Sequence, residues 1–313
     1  MRSSNRPVSS VLRALDVLAD PWSYLILREA FFGMRRFEQF LKTLGIARNI
    51  LSERLDRLVR DKVLEKHAYQ ERPQRFEYRL SESGRDFYPA IVALMTWGDK
   101  WRPRNQGAPL VLTDMHCGKR LRPVVICTNT GRKLSPFEIE VRDGPGAATE
   151  RRIGPPLTRI RSRENQAYMV GRPCSVASAL QVMGHRWSFR ILRESFYGVK
   201  RFEDFQNNLD IARNILTERL NALVENGLLE RRRYQQHPDR YEYVLAPAGV
   251  DLYPSLLLLM NWGDKWRRPK KGVPTILIHK SDGKAARPRL VCEHCGKEVT
   301  IGQVKYKMNY EFA

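Results

Sequence analysis

One long passage occurs twice in this chain, at a constant separation of 165 positions. Trp22 returns as Trp187, Phe37 as Phe202, Asn49 as Asn214, Tyr78 as Tyr243, Trp97 as Trp262 and Trp101 as Trp266. The segment Ile46-Ala47-Arg48-Asn49-Ile50-Leu51 reappears unchanged as Ile211-Ala212-Arg213-Asn214-Ile215-Leu216. Solenoid units repeat every ~20–50 residues, so a period this long makes each copy a complete domain. A chain of 313 residues has room for two, since single domains typically hold ~100–150 residues. Two like domains on one chain are a covalent counterpart of a twofold dimer, which constrains both the fold and what it can grip.

Charge narrows the partner. Fifty-five Lys and Arg against 34 Asp and Glu leave a net +21, which attracts polyanions, and nucleic acid is the commonest of these in the cytosol. The alternative readings are a basic, soluble surface or an anionic membrane surface. Hydrophobic residues make up 42% of the chain, enough for packed cores. Apolar runs such as Leu256-Leu257-Leu258-Leu259-Met260 stop far short of the ~20 residues that span a bilayer. The start, Met1-Arg2-Ser3-Ser4-Asn5-Arg6, has no apolar stretch of the signal-peptide kind behind it, so a cytoplasmic protein is expected. In that compartment five cysteines argue against a disulfide framework.

Each copy reads as several helices, two strands and one long helix. Val11, Leu12, Leu15 and Leu18 stand at helical spacing. Trp22, Leu25, Ile26, Phe31 and Phe32 follow as a second helix ending at Gly33. Phe37, Phe40, Leu41 and Leu44 form a short third, and Gly45-Ile46 turns into a fourth from Ala47 to Arg60. That helix carries an apolar stripe (Ile50, Leu51, Leu55, Leu58, Val59) opposite a polar face opening on Arg48 and Asn49, which is a helix-turn-helix arrangement. Residues 63–69 and 76–80 read as a hairpin with a polar, basic tip at 70–75, a "wing" beside the fourth helix. A final helix from Ser81 through Trp97 completes the unit. The expected class is α+β, mainly α: winged domains at 1–104 and 167–269, strand-rich extensions at 105–143 and 270–313, and a linker at 144–166 that is rich in Gly, Ala and Pro.

The residues Ala14-Leu15-Asp16-Val17-Leu18, Asp20, Trp22, Ile26-Leu27-Arg28, Arg36-Phe37, Leu51-Ser52-Glu53-Arg54-Leu55, Phe76-Glu77-Tyr78, Leu80 and Trp97-Gly98 carry a resemblance. The passage resembles the HxlR-type winged helix-turn-helix transcriptional regulators, relatives of the MarR group, over residues 9–101 and again over 174–266. The resemblance implies a DNA-binding fold that dimerises through its first and last helices, and most regulators of this type are repressors. Tandem copies depart from the usual single domain. They imply either an intramolecular pseudo-dimer or a homodimer with four reading heads.

A recognition helix presents its first turns to base edges in the major groove. Arg48, Asn49, Arg213 and Asn214 stand there; Arg suits guanine and Asn adenine, although Asn near a helix start also serves as a cap. Ser52 and Thr217 follow one turn on. Arg54 and Arg219 read either as phosphate clamps or as partners of a neighbouring carboxylate such as Glu53. In the wings, Arg72, Arg75 and Arg240 are the candidate backbone or minor-groove contacts, and the second tip is expected to bind less strongly. Trp22, Trp97 and Trp187 lie in apolar stripes, so packing is preferred over stacking on single-stranded bases.

Some regulators of the resembled type carry a tail similar to a small zinc ribbon. Here the pattern is divided, with Cys117 and Cys127 in one copy and Cys292 and Cys295 in the other. No cofactor is expected. Zinc on Cys117, Cys127, Cys292 and Cys295 is the alternative if the tails meet, and a metal-free remnant is preferred to it. Cys174 matches the N-terminal cysteine of redox-sensing members; a sensor thiol needs an accessible, thiolate-stabilising setting, which Arg172 could favour. Otherwise Cys174 is a small helix-start residue. The basic run Arg159–Arg163 adds charge to the linker.

No nucleophile–base–orienter set is present in the sequence, so an enzyme is not expected. The reading preferred is a sequence-specific double-stranded DNA-binding regulator, set against two others. One is a non-specific architectural DNA binder, the other a protein-interaction module whose charge is incidental.

Overall fold

The computed structural model describes residues 10–18, 21–103, 107–147, 174–183 and 186–309. Copy one begins with α1 (Ser10–Leu18), α2 (Pro21–Phe31), α3 (Phe37–Leu44) and α4 (Arg48–Arg60). The hairpin β1 (Leu64–Glu71) and β2 (Gln74–Leu80) follows, then α5 (Glu82–Asp86) and α6 (Tyr88–Trp101). Its tail holds β3 (Leu110–Asp114), β4 (Pro123–Cys127) and β5 (Ile139–Asp143). Copy two repeats the order as α7 (Ser175–Met183), α8 (Arg186–Phe196), α9 (Phe202–Leu209) and α10 (Arg213–Glu225), then β6 (Leu229–Gln235) and β7 (Arg240–Leu245). It continues with α11 (Pro247–Asp251), α12 (Tyr253–Trp266), β8 (Thr275–His279), β9 (Pro288–Cys292) and β10 (Val304–Met308).

Local chemistry accounts for the boundaries. Gly45 ends α3 at φ +60°, its N–H donating to the Leu41 carbonyl at 3.1 Å; Asp210 takes the same left-handed position in copy two. The α4 stripe buries Leu51, Leu55 and Leu58, and α10 buries Leu216, Leu220 and Leu223, one face of each helix sealed against its own domain. The final helix expected from Ser81 onward is instead two helices divided at Phe87. Pro89 in the first turn of α6 supplies no N–H to carry the α5 hydrogen bonds onward, so α6 starts afresh there.

The two copies pack through exchanged helices. α1 lies on α12 and α7 lies on α6, so the first helix of each copy covers the last helix of the other. The approach is close because both last helices present glycine at the crossing. A Cβ added to Gly98 would stand 2.1 Å from the Ser175 carbonyl oxygen, and one added to Gly263 would stand 2.2 Å from that of Ser10. Hydrogen bonds repeat in matched pairs around this contact. The Trp97 indole donates to the Ala248 carbonyl and the Trp262 indole to that of Ser83, each at 2.8 Å. Lys100 and Trp101 converge on Asp251, as Lys265 and Trp266 converge on Asp86, at 2.5 Å for each lysine and 3.0 Å for each indole. Ser10 donates to Asp264 at 2.5 Å, and Ser175 donates likewise to Asp99.

The tails interleave as well. β3 pairs with β10, β5 with β8 and β4 with β9, all antiparallel and all between copies. In the β4–β9 pair Val125 faces its own counterpart, Leu290, so a pseudo-twofold axis passes between them. Gly144 and Gly146, inside the segment expected to be linker, donate to the Pro274 and Val273 carbonyls at 3.0 Å. Residues 148–166 of that segment, the 159–163 run among them, lie outside the described residues.

Two predictions concern the helix exchange. Replacing glycine by alanine inside a helix ordinarily stabilises by about 1 kcal/mol. Gly263→Ala should instead lower the thermal midpoint, because the new methyl meets the Ser10 carbonyl; a raised midpoint would contradict the α1–α12 contact. Burial pushes the Asp264 carboxyl from its ordinary 3.8 up to about 6, against the opposing pull of Ser10, Arg13 and Arg268. The folded chain therefore holds a proton that the unfolded chain has released. The resulting stabilisation is complete below the ordinary value and is lost as pH rises through 6. Asp264→Asn should flatten the stability–pH profile over that interval in urea titrations.

Candidate nucleic-acid interface and thiol cluster

The candidate base-reading residues occupy matched, exposed positions at the starts of α4 and α10. Arg48, Asn49 and Ser52 are exposed in copy one, as are Arg213, Asn214 and Thr217 in copy two. Asn49 and Asn214 do not cap these helices. The caps are Ala47 and Ala212, which places each Asn one residue inside the first turn with its side chain outward. The Thr217 hydroxyl donates back to the Arg213 carbonyl at 2.9 Å.

Each leading arginine rests on the preceding helix. The Arg48 guanidinium lies 5.3 Å from the centre of the Phe37 ring, and Arg213 lies 5.2 Å from that of Phe202. Arg48 also pairs with Glu38 at 3.0 Å, both side chains well exposed. An exposed pair of this kind contributes ~0–1 kcal/mol and gives way readily to a phosphate or a base edge. Arg54 and Arg219 differ: each is half-buried and bonded to the carboxylate just before it, Glu53 or Glu218. In the chain by itself each of these arginines holds its neighbouring carboxylate.

The wings reach beyond their expected strands. β1 and β2 pair as far as Glu71 with Gln74, which leaves Arg72 and Pro73 at the tip, with Arg75 exposed beside them. In the second wing Arg240 begins β7 opposite Gln235 and is likewise exposed. A comparison of tips alone overlooks the stems. Where copy one has Lys66, His67 and Ala68, copy two has Arg231, Arg232 and Arg233, all three exposed. The signal was available in the sequence as a run of three arginines on a strand. Arg231 stacks on Tyr241 with 3.7 Å to the ring centre, Arg232 pairs with Glu230 at 2.6 Å and Arg233 with Asp239 at 3.4 Å.

Two of the tryptophans have packing roles, while Trp22 and Trp187 are half-buried. Trp97 and Trp262 are each 3% exposed and bond across the copies, which removes them from base stacking. Cys174 is buried at the start of α7, with the Tyr24 hydroxyl 3.2 Å from its sulfur. The accessible setting that a sensor thiol requires is not the one found, and Arg172 lies outside the described residues.

The interleaved tails regroup the other four cysteines. Cys117, Cys292 and Cys295 come together, and their fourth neighbour is Asp114 rather than Cys127; the candidate ligand atoms all lie within 4.8 Å of one another. The reason is register: β4 pairs with β9 so that Cys127 faces Pro288, which carries it to the pseudo-equivalent corner beside His279. There burial pushes the Cys127 thiol up, and hydrogen bonds from His279, the Arg287 and Asn129 backbone and Thr130 outweigh it, bringing it down to about 6. At the first corner the Asp114 carboxylate accepts the backbone N–H groups of His116 at 2.8 Å and Cys117 at 3.1 Å. Burial opposes its charge, but these donors prevail and hold it below its ordinary value. Among the described residues, no helix is long and apolar enough to cross a membrane.

Comparison with known proteins finds relatives for both halves of the chain. The family profile described as HxlR-like helix-turn-helix matches residues 17–106 and again residues 182–271. An uncharacterised HTH-type transcriptional regulator of Mycobacterium tuberculosis is 46% identical over 137 residues, covering 44% of this chain and 87% of the relative. A second, YdeP of Bacillus subtilis, is 33% identical over 95 residues, covering 30% of this chain and 74% of its own length. Among solved structures, a transcription-factor candidate from Pseudomonas aeruginosa is 38% identical, covering 40% of this chain and 86% of its own, at a TM-score of 0.33.

Proposed function

The chain belongs to the HxlR-like helix-turn-helix family, once in each half, and we propose that it is a sequence-specific double-stranded DNA-binding repressor acting as a covalent pseudo-dimer. Transcriptional regulation through DNA is the coarser statement, common to the family and to the curated relatives. The observation that carries the finer one is the reciprocal exchange of α1 and α7. One chain completes within itself the first-helix-to-last-helix contact that the resemblance implies for a pair of chains. The winged domains, taken as residues 1–104 and 167–269, then present α4 and α10 about a pseudo-twofold axis. An imperfect inverted repeat is the matching target, with half-site centres one helical turn apart, ~34–36 Å.

In this reading Arg48, Asn49, Arg213 and Asn214 address base edges, Ser52 and Thr217 a base or phosphate one turn on, and Arg72, Arg75 and Arg240 the backbone beside each half-site. Arg231–Arg233 add phosphate contacts along the second wing. Arg54 and Arg219 support the recognition helices through Glu53 and Glu218 and reach phosphate only by leaving them. The net +21 favours association with DNA of any sequence, so specificity has to come from the two helix starts.

Genome-fragment selection with the full chain at ~150 mM salt, followed by footprinting, tests the proposal. A recurring inverted repeat with one-turn spacing is expected; uniform enrichment of all fragments would replace it with a non-specific clamp. On the selected site, Arg48→Ala with Arg213→Ala should cost ~1–3 kcal/mol per half-site and spare non-specific binding. Arg75→Ala with Arg240→Ala should instead weaken all sequences alike and flatten the salt dependence by about one unit for each phosphate no longer neutralised, read by fluorescence anisotropy.

A further inference from the structure

Four turns of one kind close the strands of the tails. They begin at Asp114, Cys127, His279 and Cys292, each the last residue of its strand. In every case the glycine four residues on donates its N–H to the first residue's carbonyl, at 2.8–2.9 Å, with that glycine at φ +68° or +69°. The first residue in turn donates to the carbonyl five residues on, at 2.8–3.0 Å. Such a turn brings its first and fourth side chains to one side. Interleaving then sets the Asp114 turn against the Cys292 turn and the His279 turn against the Cys127 turn. The two corners are pseudo-equivalent but unequal: the first gathers Asp114, Cys117, Cys292 and Cys295, whereas at the second His279 and Thr130 bond to Cys127, and Asp282 holds the position equivalent to Cys117.

We propose that the first corner is a tetrahedral zinc site that joins the two halves of the chain, and that its pseudo-equivalent is not a metal site. Two of its ligands, Asp114 and Cys117, come from copy one and two, Cys292 and Cys295, from copy two. Zinc–sulfur bonds of ~2.3 Å set tetrahedral ligands a little under 4 Å apart. The ligand atoms, all within 4.8 Å of one another, need only a small inward adjustment, and the Cys295 sulfur is already 3.9 Å from both Asp114 oxygens. Three thiolates exclude magnesium and calcium, which take oxygen ligands, and three sulfurs with one carboxylate suit zinc. The outer bonds are in place: the Asp114 carboxylate is oriented by the His116 and Cys117 amides. Asp114 and Cys292 are fully buried, while Cys117 and Cys295 are half-buried and leave a route of entry. The second corner offers one thiol, Cys127, and one imidazole, His279, which is two ligands rather than four: Thr130, a hydroxyl that is not a zinc ligand of ordinary affinity, stands where the first corner has Cys295, and Asp282, where the first has Cys117, is exposed.

Because the ligands are divided between the tails, zinc links residue 114 to residue 292 across the pseudo-twofold axis. Metal binding thus adds to the stability of the interleaved tails, and its removal loosens them without touching α4 or α10.

The full chain, purified under reducing conditions, depleted with a chelator and titrated with zinc or cobalt, decides the matter. Uptake of one equivalent is expected, with the strong visible bands and thiolate charge-transfer absorption of a tetrahedral, sulfur-rich cobalt site. Cys295→Ser and Asp114→Asn should each weaken zinc binding by more than about tenfold. Cys127→Ser should leave stoichiometry and spectrum unchanged. Circular dichroism of each variant separates loss of ligand from loss of fold, and Cys295, being half-buried, is the substitution best tolerated. No uptake, two equivalents, a weak octahedral cobalt spectrum, or loss of the site in Cys127→Ser but not in Cys295→Ser would each overturn the proposal.

Discussion

The contact of each first helix with the other copy's last helix is the constraint from which the rest of the architecture follows. It depends on two glycines, Gly98 and Gly263, because any side chain at these positions would occupy the space of a carbonyl oxygen on the crossing helix. Around that crossing, buried indoles, a serine–carboxylate pair and a lysine–carboxylate pair repeat on both sides. Neither copy can satisfy these groups alone. The indole of Trp97 finds its acceptor on Ala248, and that of Trp262 on Ser83, so a separated copy would bury or expose unpaired donors. Duplication thus lets one chain supply both partners of a contact that a single copy leaves incomplete.

From this core the two ends of the molecule acquire different tasks. The winged domains project α4 and α10, whose apolar faces are sealed inward by Leu51, Leu55, Leu58 and their counterparts, leaving polar first turns outward. The exchanged helices hold these two helix starts in one relation, so that on the proposed function the folding of a single chain orients both reading heads. The tails, threaded strand by strand between copies, close the assembly a second time and bring thiols from both copies to one corner. On the zinc proposal a link there reinforces the helix exchange, since β4 packs on α6 and β9 on α12.

Much of this was legible in the sequence for a definite physical reason. Helical periodicity marks α1–α4 because each buries one stripe, and the wing shows as two short strands around a polar tip. Position-by-position repetition identified Arg48 and Arg213 as equivalent, and their shared seats on Phe37 and Phe202 have the same geometry. The break at Phe87 was less legible, since apolar spacing runs across it and only Pro89 betrays the restart. What the sequence concealed was partnership. Whether Arg54 serves Glu53 or a phosphate, and whether Asn49 caps its helix, turns on side-chain direction rather than spacing. The thiol corner was hidden for a further reason: attention to cysteine alone overlooks that Asp114 stands where a Cys-x-x-Cys-Gly turn has its first thiol. Only the antiparallel register of β4 with β9 shows that Cys127 belongs to the other corner.

The central claim is that one chain carries a complete two-headed reader. The mass of the complex formed with the shortest footprinted duplex, measured by native mass spectrometry, tests it most directly. One chain on one inverted repeat, with a single chain also found free of DNA, is the predicted result. Two chains on each repeat, with one winged domain of each left off the DNA, would contradict it.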